Sequence, residues 1–159
     1  MPCANQSRNE MTPTGYTISH AIPTVEVYRH LRVSAGLSPK TVEAASRGLP
    51  NSLFAVQLVS AGETVAMGRV IGDGGTFYQV VDIAVLPSHQ GRGLGKAVMR
   101  EISDYIAREV PPSAYVSLLA DGEAYRLYQG FGFSLTAPGS VGMALKKSSP
   151  AAGGVETHT

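Results

Sequence analysis

The sequence predicts an α/β domain with a mixed, mostly antiparallel central sheet flanked by helices. Strand-length apolar segments at residues 53–60, 64–71 and 77–86 are joined by short glycine-containing turns, which is typical of an antiparallel meander. A long amphipathic helix is predicted over residues 93–109, directly after the third of these strands. A further apolar strand at 114–120 follows, and a strand–helix–strand crossover favours parallel pairing. Both kinds of pairing are therefore expected in one sheet.

The segment before the meander predicts one strand and two helices. The expected elements are a strand at residues 16–21 and helices at residues 23–36 and 38–47. Ser38 and Pro39 suit the N-cap and the first position of the second helix. Residues 1–14 are polar and are expected to be disordered.

The segment after the meander completes the predicted order β-α-α-β-β-β-α-β-α-β-β. Its remaining elements are a helix at residues 122–130, which Asp121 can cap, and a final pair of strands at 133–136 and 141–146. The tail, residues 148–159, is rich in Ser, Gly and Ala and is expected to be flexible. Residues 15–147 are therefore expected to form a single domain.

Charge and composition exclude several classes of protein. The chain has 159 residues, and its 13 basic and 12 acidic residues give a formal net charge of +1. Such a balance does not favour a nucleic-acid-binding surface. The single cysteine, Cys3, excludes an internal disulfide, and the four histidines lack the spacing of metal ligands. No apolar run is long enough to cross a membrane and no signal-peptide core is present, so a cytoplasmic protein is expected.

A glycine-rich loop between the third meander strand and the long helix is suited to binding phosphate. Gly91, Gly93 and Gly95 have no Cβ, so a ligand can approach the backbone closely. The free N–H groups and the dipole at a helix start favour negative charge, to which Arg92 and Lys96 add positive side chains. A Rossmann motif would require glycine at Lys96, and a Walker A motif would require a hydroxyl directly after it. The spacing therefore favours a phosphate or pyrophosphate ligand over a glycine-rich turn without one.

Two motifs resemble the signatures of the GNAT superfamily of N-acetyltransferases. The glycine loop, residues 90–95, fits the pattern Gln/Arg-x-x-Gly-x-Gly/Ala and follows an apolar strand that ends in Pro87. The second motif begins at Ala124 and fits the pattern Ala-x-x-Leu-Tyr-x-x-x-Gly-Phe. Finding both in this order is more specific than finding either alone. The resemblance covers roughly residues 16–147.

The resemblance implies an enzyme that transfers an acetyl group from acetyl-CoA to a primary amine by direct attack in a ternary complex, without a metal. In this family the loop amides hold the CoA pyrophosphate, and the preceding strand separates from its parallel neighbour to pair with the pantetheine arm. The cofactor-binding residues carried over are Ile83, Ala84, Val85, Gln90, Gly91, Arg92, Gly93, Leu94, Gly95, Lys96, Tyr125 and Tyr128. Tyr128 matches the catalytic tyrosine that protonates the departing sulfur, although a tyrosine can also serve only in core packing.

No residue of this sequence matches the general base found in several members of the family. A primary amine has a pKa of about 10, so it must lose a proton before it can attack. Several relatives carry Glu or His at the position of Val81, and valine cannot act as a base. Asp82 is adjacent, but it faces the other side of the strand unless a bulge redirects it. The sequence leaves open whether Asp82 is the catalytic base or a structural carboxylate; His20, Glu26, His30 and a relay through water are further candidates.

The resemblance also implies where the acceptor binds. In the family the first strand, the first two helices and the final strand pair form the acceptor site. The residues carried over are Tyr28, His30, Arg32, Ser140 and Met143. They suit a small-molecule amine with an apolar or aromatic body, such as an arylalkylamine. A peptide or protein acetyltransferase and a non-catalytic acyl-CoA sensor are the alternatives. The expected partners include neither nucleic acid nor membrane, and the protein is expected to be a monomer or a homodimer.

Overall fold

A computed structural model describes residues 12–148, which form one five-stranded sheet with helices on both faces. The strands are β1 (Thr17–Ser19), β2 (Phe54–Ser60), β3 (Glu63–Gly72), β4 (Phe77–Val85) and β5 (Tyr115–Leu118). The helices are α1 (Val25–Ser34), α2 (Val42–Gly48), α3 (Leu94–Glu109) and α4 (Tyr125–Gln129), with 3₁₀ turns at Leu49–Asn51 and Pro87–His89. The segment predicted to be disordered, 1–14, and the tail predicted to be flexible, 148–159, lie almost wholly outside the described residues.

The sheet confirms the predicted fold class. Its strands lie in sequence order, and β1 to β4 pair antiparallel with their neighbours. The pair β4–β5 is parallel, as the intervening helix α3 requires. One mixed, mostly antiparallel sheet results.

The two faces of the sheet carry different helices. Gly68 on β3 faces Val98 and Ile102 of α3, both fully buried. The next residue, Arg69, lies over the ring of Tyr28 on α1. Because successive strand residues point to opposite sides, α1 and α3 cover opposite faces. Apolar side chains from both helices and from the strands between them make one continuous core.

Two helix starts differ from the prediction. α2 begins after Thr41, whose hydroxyl accepts from the Ala44 N–H at 3.1 Å, and not after Ser38. Ser38 is instead held by the Arg32 side chain, which binds both its carbonyl and its hydroxyl. The helix predicted at residues 122–130 is the shorter α4, and Asp121 contributes only its carbonyl, to Ala124 N–H, and no side-chain cap.

The two predicted C-terminal strands are absent from the described chain. Residues 133–136 and 141–146 show no ladder pairing; the local hydrogen bonds join Thr136 and Ser140 across a turn. The alternation of apolar residues is present, but a strand also needs a neighbour for its backbone. In the single chain, these segments have none.

Candidate active site

The glycine loop lies between the end of β4 and the start of α3. The helix begins at Leu94, and Gly93 is its N-cap. Gly91 and Gly93 have φ angles of 77° and 79°, in the left-handed region that favours glycine. A Cβ added to either residue would find no other atom within 4 Å, so the requirement for glycine is conformational. The backbone at both positions therefore remains open to a ligand.

The start of α3 carries unpaired backbone donors. No side chain caps the helix, and the N–H groups of residues 91–95 donate no hydrogen bond within residues 12–148. The helix dipole places partial positive charge at the same end, where Arg92 and Lys96 are both exposed. Unpaired donors, a helix dipole and two cations together fit a phosphate or pyrophosphate group.

Side-chain hydrogen bonds hold the glycine loop against neighbouring parts of the chain. The Gln90 side-chain amide donates to the Val85 carbonyl at 3.3 Å, and Arg92 donates to the Tyr16 hydroxyl at 3.1 Å. The Tyr16 hydroxyl also lies 2.8 Å from His89 Nδ1. Sequence reasoning missed Tyr16, because no local pattern records a partner 73 residues away.

Strand β4 is paired unequally on its two sides. Its antiparallel pairing with β3 extends to Val85, opposite Ala66. Its parallel pairing with β5 ends at Val80, opposite Leu118. Residues 81–85 therefore have an unpaired backbone edge on the β5 side within the described chain. An extended ligand can pair with such an edge as an added strand does.

A β-bulge lies in the middle of this stretch. The register between β3 and β4 shifts there, so that Gly68 lies opposite both Asp82 and Ile83. Asp82 has a φ angle of 60°, which turns its side chain toward the α1 face. A Cβ on Gly68 would lie 2.7 Å from Ile83 Cδ1 and from Val98 Cγ1, so a larger residue there would require these side chains to shift. From the sequence, Asp82 could reach the other side of the strand only if a bulge turned its side chain. That bulge is present.

The Asp82 carboxylate is surrounded by hydrogen-bond donors, and its side chain is only 5% exposed. Arg32 Nη1 and the Tyr28 hydroxyl bind Oδ1, and Arg69 binds Oδ2 through Nε at 2.8 Å and Nη2 at 2.7 Å. Burial, and after it the Asp82 charge, raise the pKa of Tyr28, which keeps its hydroxyl protonated. A general base needs a free lone pair directed at its substrate, whereas both Asp82 oxygens are occupied. The geometry favours the structural carboxylate over the catalytic base.

The Asp82 cluster (Tyr28, Arg32, Arg69 and Asp82) joins several parts of the fold. Arg32 donates to the Ser38 carbonyl at 2.8 Å, and Arg69 Nη1 donates to the Ser52 hydroxyl at 2.8 Å. The cluster therefore links α1 and two connecting segments to β3 and β4. Sequence reasoning missed Arg69; the available signal was a single charge inside the apolar run of β3.

Tyr128 lies on α4, half-buried in the wall of a cavity of about 810 Å³. The cavity, called here the β5 slot, is bounded by β5 and by residues 131–136. Among residues 12–148 the Tyr128 hydroxyl has no hydrogen-bond partner. Burial, and after it the charge of Asp121, raise the pKa of Tyr128. The phenol therefore stays protonated through the neutral range and can donate a proton to a group in the slot. Tyr125 lines the same slot.

The residues predicted to bind the acceptor are not brought together. Tyr28 and Arg32 are buried in the Asp82 cluster. His30 lies on the opposite side of α1, exposed, in a second groove of about 500 Å³ between α1 and the start of α2. Ser140 and Met143 are exposed in the C-terminal segment. The described single chain thus contains three separate groups instead of one acceptor site.

The other candidate bases do not line the slot that contains Tyr128. His20 Nε2 is 2.7 Å from Glu101 Oε2 on α3, and neither residue belongs to the lining of the slot. Glu26 lines the same outer groove as His30. Within residues 12–148 no set of three or more His, Cys, Asp or Glu side chains is arranged to hold a metal ion. None of the described helices has both the length and the hydropathy needed to span a membrane.

Comparison with known proteins identifies one domain type. Residues 50–135 match the model of the acetyltransferase (GNAT) domain. The chain is similar to serotonin N-acetyltransferase 2, chloroplastic, from Oryza sativa subsp. japonica, with 38% identity over 90 residues, which are 56% of this chain and 44% of that protein. The chain thus spans less than half the length of this curated relative.

Solved structures give the same fold. A protein of unknown function from meticillin-resistant Staphylococcus aureus, described as a probable acetyltransferase, is 52% identical, with a TM-score of 0.80 over 83% of this chain and 99% of the other. Glucosamine-6-phosphate N-acetyltransferase from Arabidopsis thaliana has a TM-score of 0.63 over 84% of this chain and 99% of the other. At 18% identity, the second likeness concerns the fold alone.

Proposed function

This chain belongs to the GNAT family of acetyltransferases, and from that premise we propose that it transfers an acetyl group from acetyl-CoA to the primary amine of a small molecule. The observation that carries the proposal is the position of the glycine loop. Its unpaired N–H groups lie at the uncapped start of α3, directly after the strand whose residues 81–85 have a free edge. The backbone groups proposed to bind phosphate therefore lie close in the chain to those that can pair with an extended ligand.

Each part of acetyl-CoA has candidate partners. The backbone of residues 91–95 would hold the pyrophosphate, with Arg92 and Lys96 adding charge. The free edge of β4 at Ile83, Ala84 and Val85 would pair with the extended pantetheine arm. Tyr125 and Tyr128 would line the end where the thioester lies. Acetyl-CoA supplies the activated acetyl group.

The transfer forms one bond and breaks another. The amine nitrogen attacks the acetyl carbon, the N–C bond forms, and the C–S bond breaks. The electron pair of the broken bond stays on sulfur, and Tyr128 donates its hydroxyl proton there. The amine loses its own proton to water. Water then returns a proton to the Tyr128 phenolate, so the number of protons is balanced. The half-buried phenol with no other partner supports this role for Tyr128 and disfavours a non-catalytic sensor.

Water is the proposed acceptor of the amine proton because, within residues 12–148, the side chains considered as bases do not line the slot beside Tyr128. Val81 has no ionisable group, and both Asp82 oxygens are already bound. His20 and Glu101 bind each other outside the lining of the slot. Asp82 is therefore assigned as a positioning residue that fixes the bulge next to the free edge of β4.

The proposed acceptor class is an arylalkylamine. Support comes from the similarity to a protein named serotonin N-acetyltransferase, since serotonin is itself an arylalkylamine. A peptide acceptor is the alternative that the same assay tests.

The test is release of free CoA thiol from acetyl-CoA with a panel of acceptors. The panel contains arylalkylamines, aminosugars, polyamines, amino acids and short peptides. We expect turnover with arylalkylamines, and we expect Tyr128→Phe to reduce kcat by about 100-fold or more, since general acid catalysis contributes about that much.

Tyr105→Phe is the matched control. Tyr105 is also partly buried, but it stacks on Phe54 with ring centroids 4.7 Å apart, away from the β5 slot. Its loss should leave kcat within a factor of about two. Equal losses in the two variants would remove Tyr128 from the mechanism, and turnover of peptides alone would replace the proposed acceptor class.

A further inference from the structure

The last part of the chain that the structure describes is exposed to solvent. After the Thr136–Ser140 turn, residues 141–147 (the arm) are exposed along their whole length. Val141, Met143 and Leu145 alternate along it and are 68%, 91% and 92% exposed. Apolar side chains at every second position are the pattern of a strand with one buried face. The arm thus has the sequence of a buried strand and the exposure of an unpaired one.

The β5 slot, in turn, lacks a strand that would pair with β5. β5 is the last strand of the sheet, and in the described chain only β4 pairs with it. Its residues line the slot together with residues 131–136 and with Ser103, Ile106 and Ala107 of α3. Tyr115, Leu119 and Leu135 line the slot and are themselves 51%, 64% and 67% exposed. An open edge beside exposed apolar side chains is a site for strand addition.

The lengths of the arm and the slot agree. A strand rises about 3.3 Å per residue, so the seven residues of the arm extend about 23 Å and the four residues of β5 about 13 Å. The arm can therefore pair along the whole of β5 and still reach past its end.

The arm does not fill the slot of its own chain. Gly142 lies against Leu119, since a Cβ added to it would be 3.0 Å from Leu119 Cδ2. The chain thus passes the end of β5, and Met143 and Leu145 lie beyond it, uncovered. Every copy of the protein therefore has one unfilled slot and one free arm of matching pattern.

We propose that two copies exchange arms, so that residues 141–147 of each chain add a strand between β5 and residues 131–136 of the other. Such an exchange is reciprocal and closes as a twofold dimer. It covers the exposed apolar residues of arm and slot together. It also removes the open edge of β5 in both copies.

The exchange has a consequence for catalysis that rests on the proposed function. Tyr125 and Tyr128 line the slot, so the partner's arm would shield them from water. Each active site would then include residues of both copies. The exchange itself depends only on arm and slot, so its test is independent of activity.

The first test is the mass of the full-length protein in solution by light scattering. We expect twice the chain mass of 16.7 kDa. Replacing Met143 and Leu145 by Asp should give a folded monomer, because the arm can no longer be buried. The control replaces Val33 and Val42, exposed on α1 and α2, by Asp and should stay dimeric. A monomeric wild-type protein, or a variant in Met143 and Leu145 that stays dimeric, overturns the proposal.

The second test locates the arm directly and does not depend on a destabilising change. Two chains are co-expressed with Cys3→Ser, one carrying Met143→Cys and the other, of different tag length, carrying Ser117→Cys in the slot. A flexible bis-maleimide should link the two different chains. Val33→Cys in place of Ser117→Cys should abolish that link.

A third variant carries both Met143→Cys and Ser117→Cys in one chain. A link within that chain, with none between the differently tagged chains, would mean that each arm folds onto its own slot. That result would overturn the exchange. It would leave the thiol-release assay, and therefore the proposed function, unaffected.

Discussion

The Asp82 side chain makes an ion pair with two buried arginines at once, so the Asp82 cluster carries one net positive charge inside the domain. The Tyr28 ring lies 5.8 Å from the Arg32 guanidinium and 5.3 Å from that of Arg69, and its π-face disperses part of the charge. Buried ion pairs contribute little net stability, but removing one partner leaves an uncompensated charge. The cluster therefore acts mainly by fixing geometry.

Asp82→Asn should lower the free energy of unfolding by about 3 kcal/mol or more, because both guanidinium groups lose their counter-charge. Urea unfolding followed by circular dichroism measures it. Asp104→Asn, an exposed position on α3, is the control and should change stability by less than about 0.5 kcal/mol. If Asp82→Asn is as stable as the wild type but has lost the pH dependence of kcat, Asp82 is the base after all.

The pH profile is a second residue-scale prediction. If water takes the amine proton, log kcat/KM with an alkylamine should rise by about one unit per pH unit until the amine pKa of about 10, because only the free amine attacks. Burial raises the pKa of Tyr128, so loss of this proton donor should occur only above the ordinary tyrosine range. A plateau between pH 7 and 8 would instead require a side-chain base in the protein.

At the scale of elements, the glycine loop depends on backbone conformation. Gly93 is the N-cap of α3 in the left-handed region, although no neighbouring atom excludes a side chain. A non-glycine residue in that conformation costs about 1–2 kcal/mol, and the loop can relieve the strain by turning its N–H groups elsewhere. The orientation of those groups is what the proposed pyrophosphate site requires.

Gly93→Ala should therefore raise the KM for acetyl-CoA about tenfold while kcat at saturation changes little. Gly48→Ala in α2 is the matched control, because Gly48 has an ordinary φ of −83° and open space around its Cβ position. That substitution should be neutral or stabilising by up to about 1 kcal/mol. An unchanged KM in Gly93→Ala would remove the loop from pyrophosphate binding.

Sequence periodicity predicted the elements that bury a face within their own chain. β2, β3, β4 and α3 lie within two residues of their expected bounds, because most of their apolar residues pack in one core. The start of α2 was misplaced because Ser38, a good N-cap residue, is recruited by Arg32 from a neighbouring helix. The final strands were predicted from alternation alone, which records which face is apolar but not which strand pairs with it.

At the scale of the whole molecule, the site combines predictable and unpredictable parts. Short-range motifs located the glycine loop and Tyr128, since each depends on residues close together in the chain. Tyr16, Arg69 and the Asp82 cluster depend on pairs 13 to 76 residues apart, for which a single sequence holds no record. The predicted acceptor residues do not lie together for the same reason. They were assigned to segments whose packing could not be predicted from the sequence.

Acetyl-CoA should stabilise the whole domain, since it would bind the folded state alone. At 100 times its Kd the ligand adds about 2.7 kcal/mol, which for a domain of this size corresponds to a Tm rise of about 5–10 °C. A thermal shift assay measures this. S-acetylpantetheine, which lacks the pyrophosphate, should give a much smaller shift at the same concentration. Equal shifts for the two compounds would place the binding energy outside the start of α3.

The unequal pairing of β4 has a dynamic consequence. Amides that face an empty strand position exchange their hydrogen with solvent, whereas amides in the β3 ladder are shielded by the core. One short stretch of backbone, residues 81–85, thus contains both kinds of amide side by side. Deuterium uptake there would fall when the missing neighbour arrives. The strand itself therefore serves as a built-in reporter of occupancy in a chain that has no tryptophan for fluorescence.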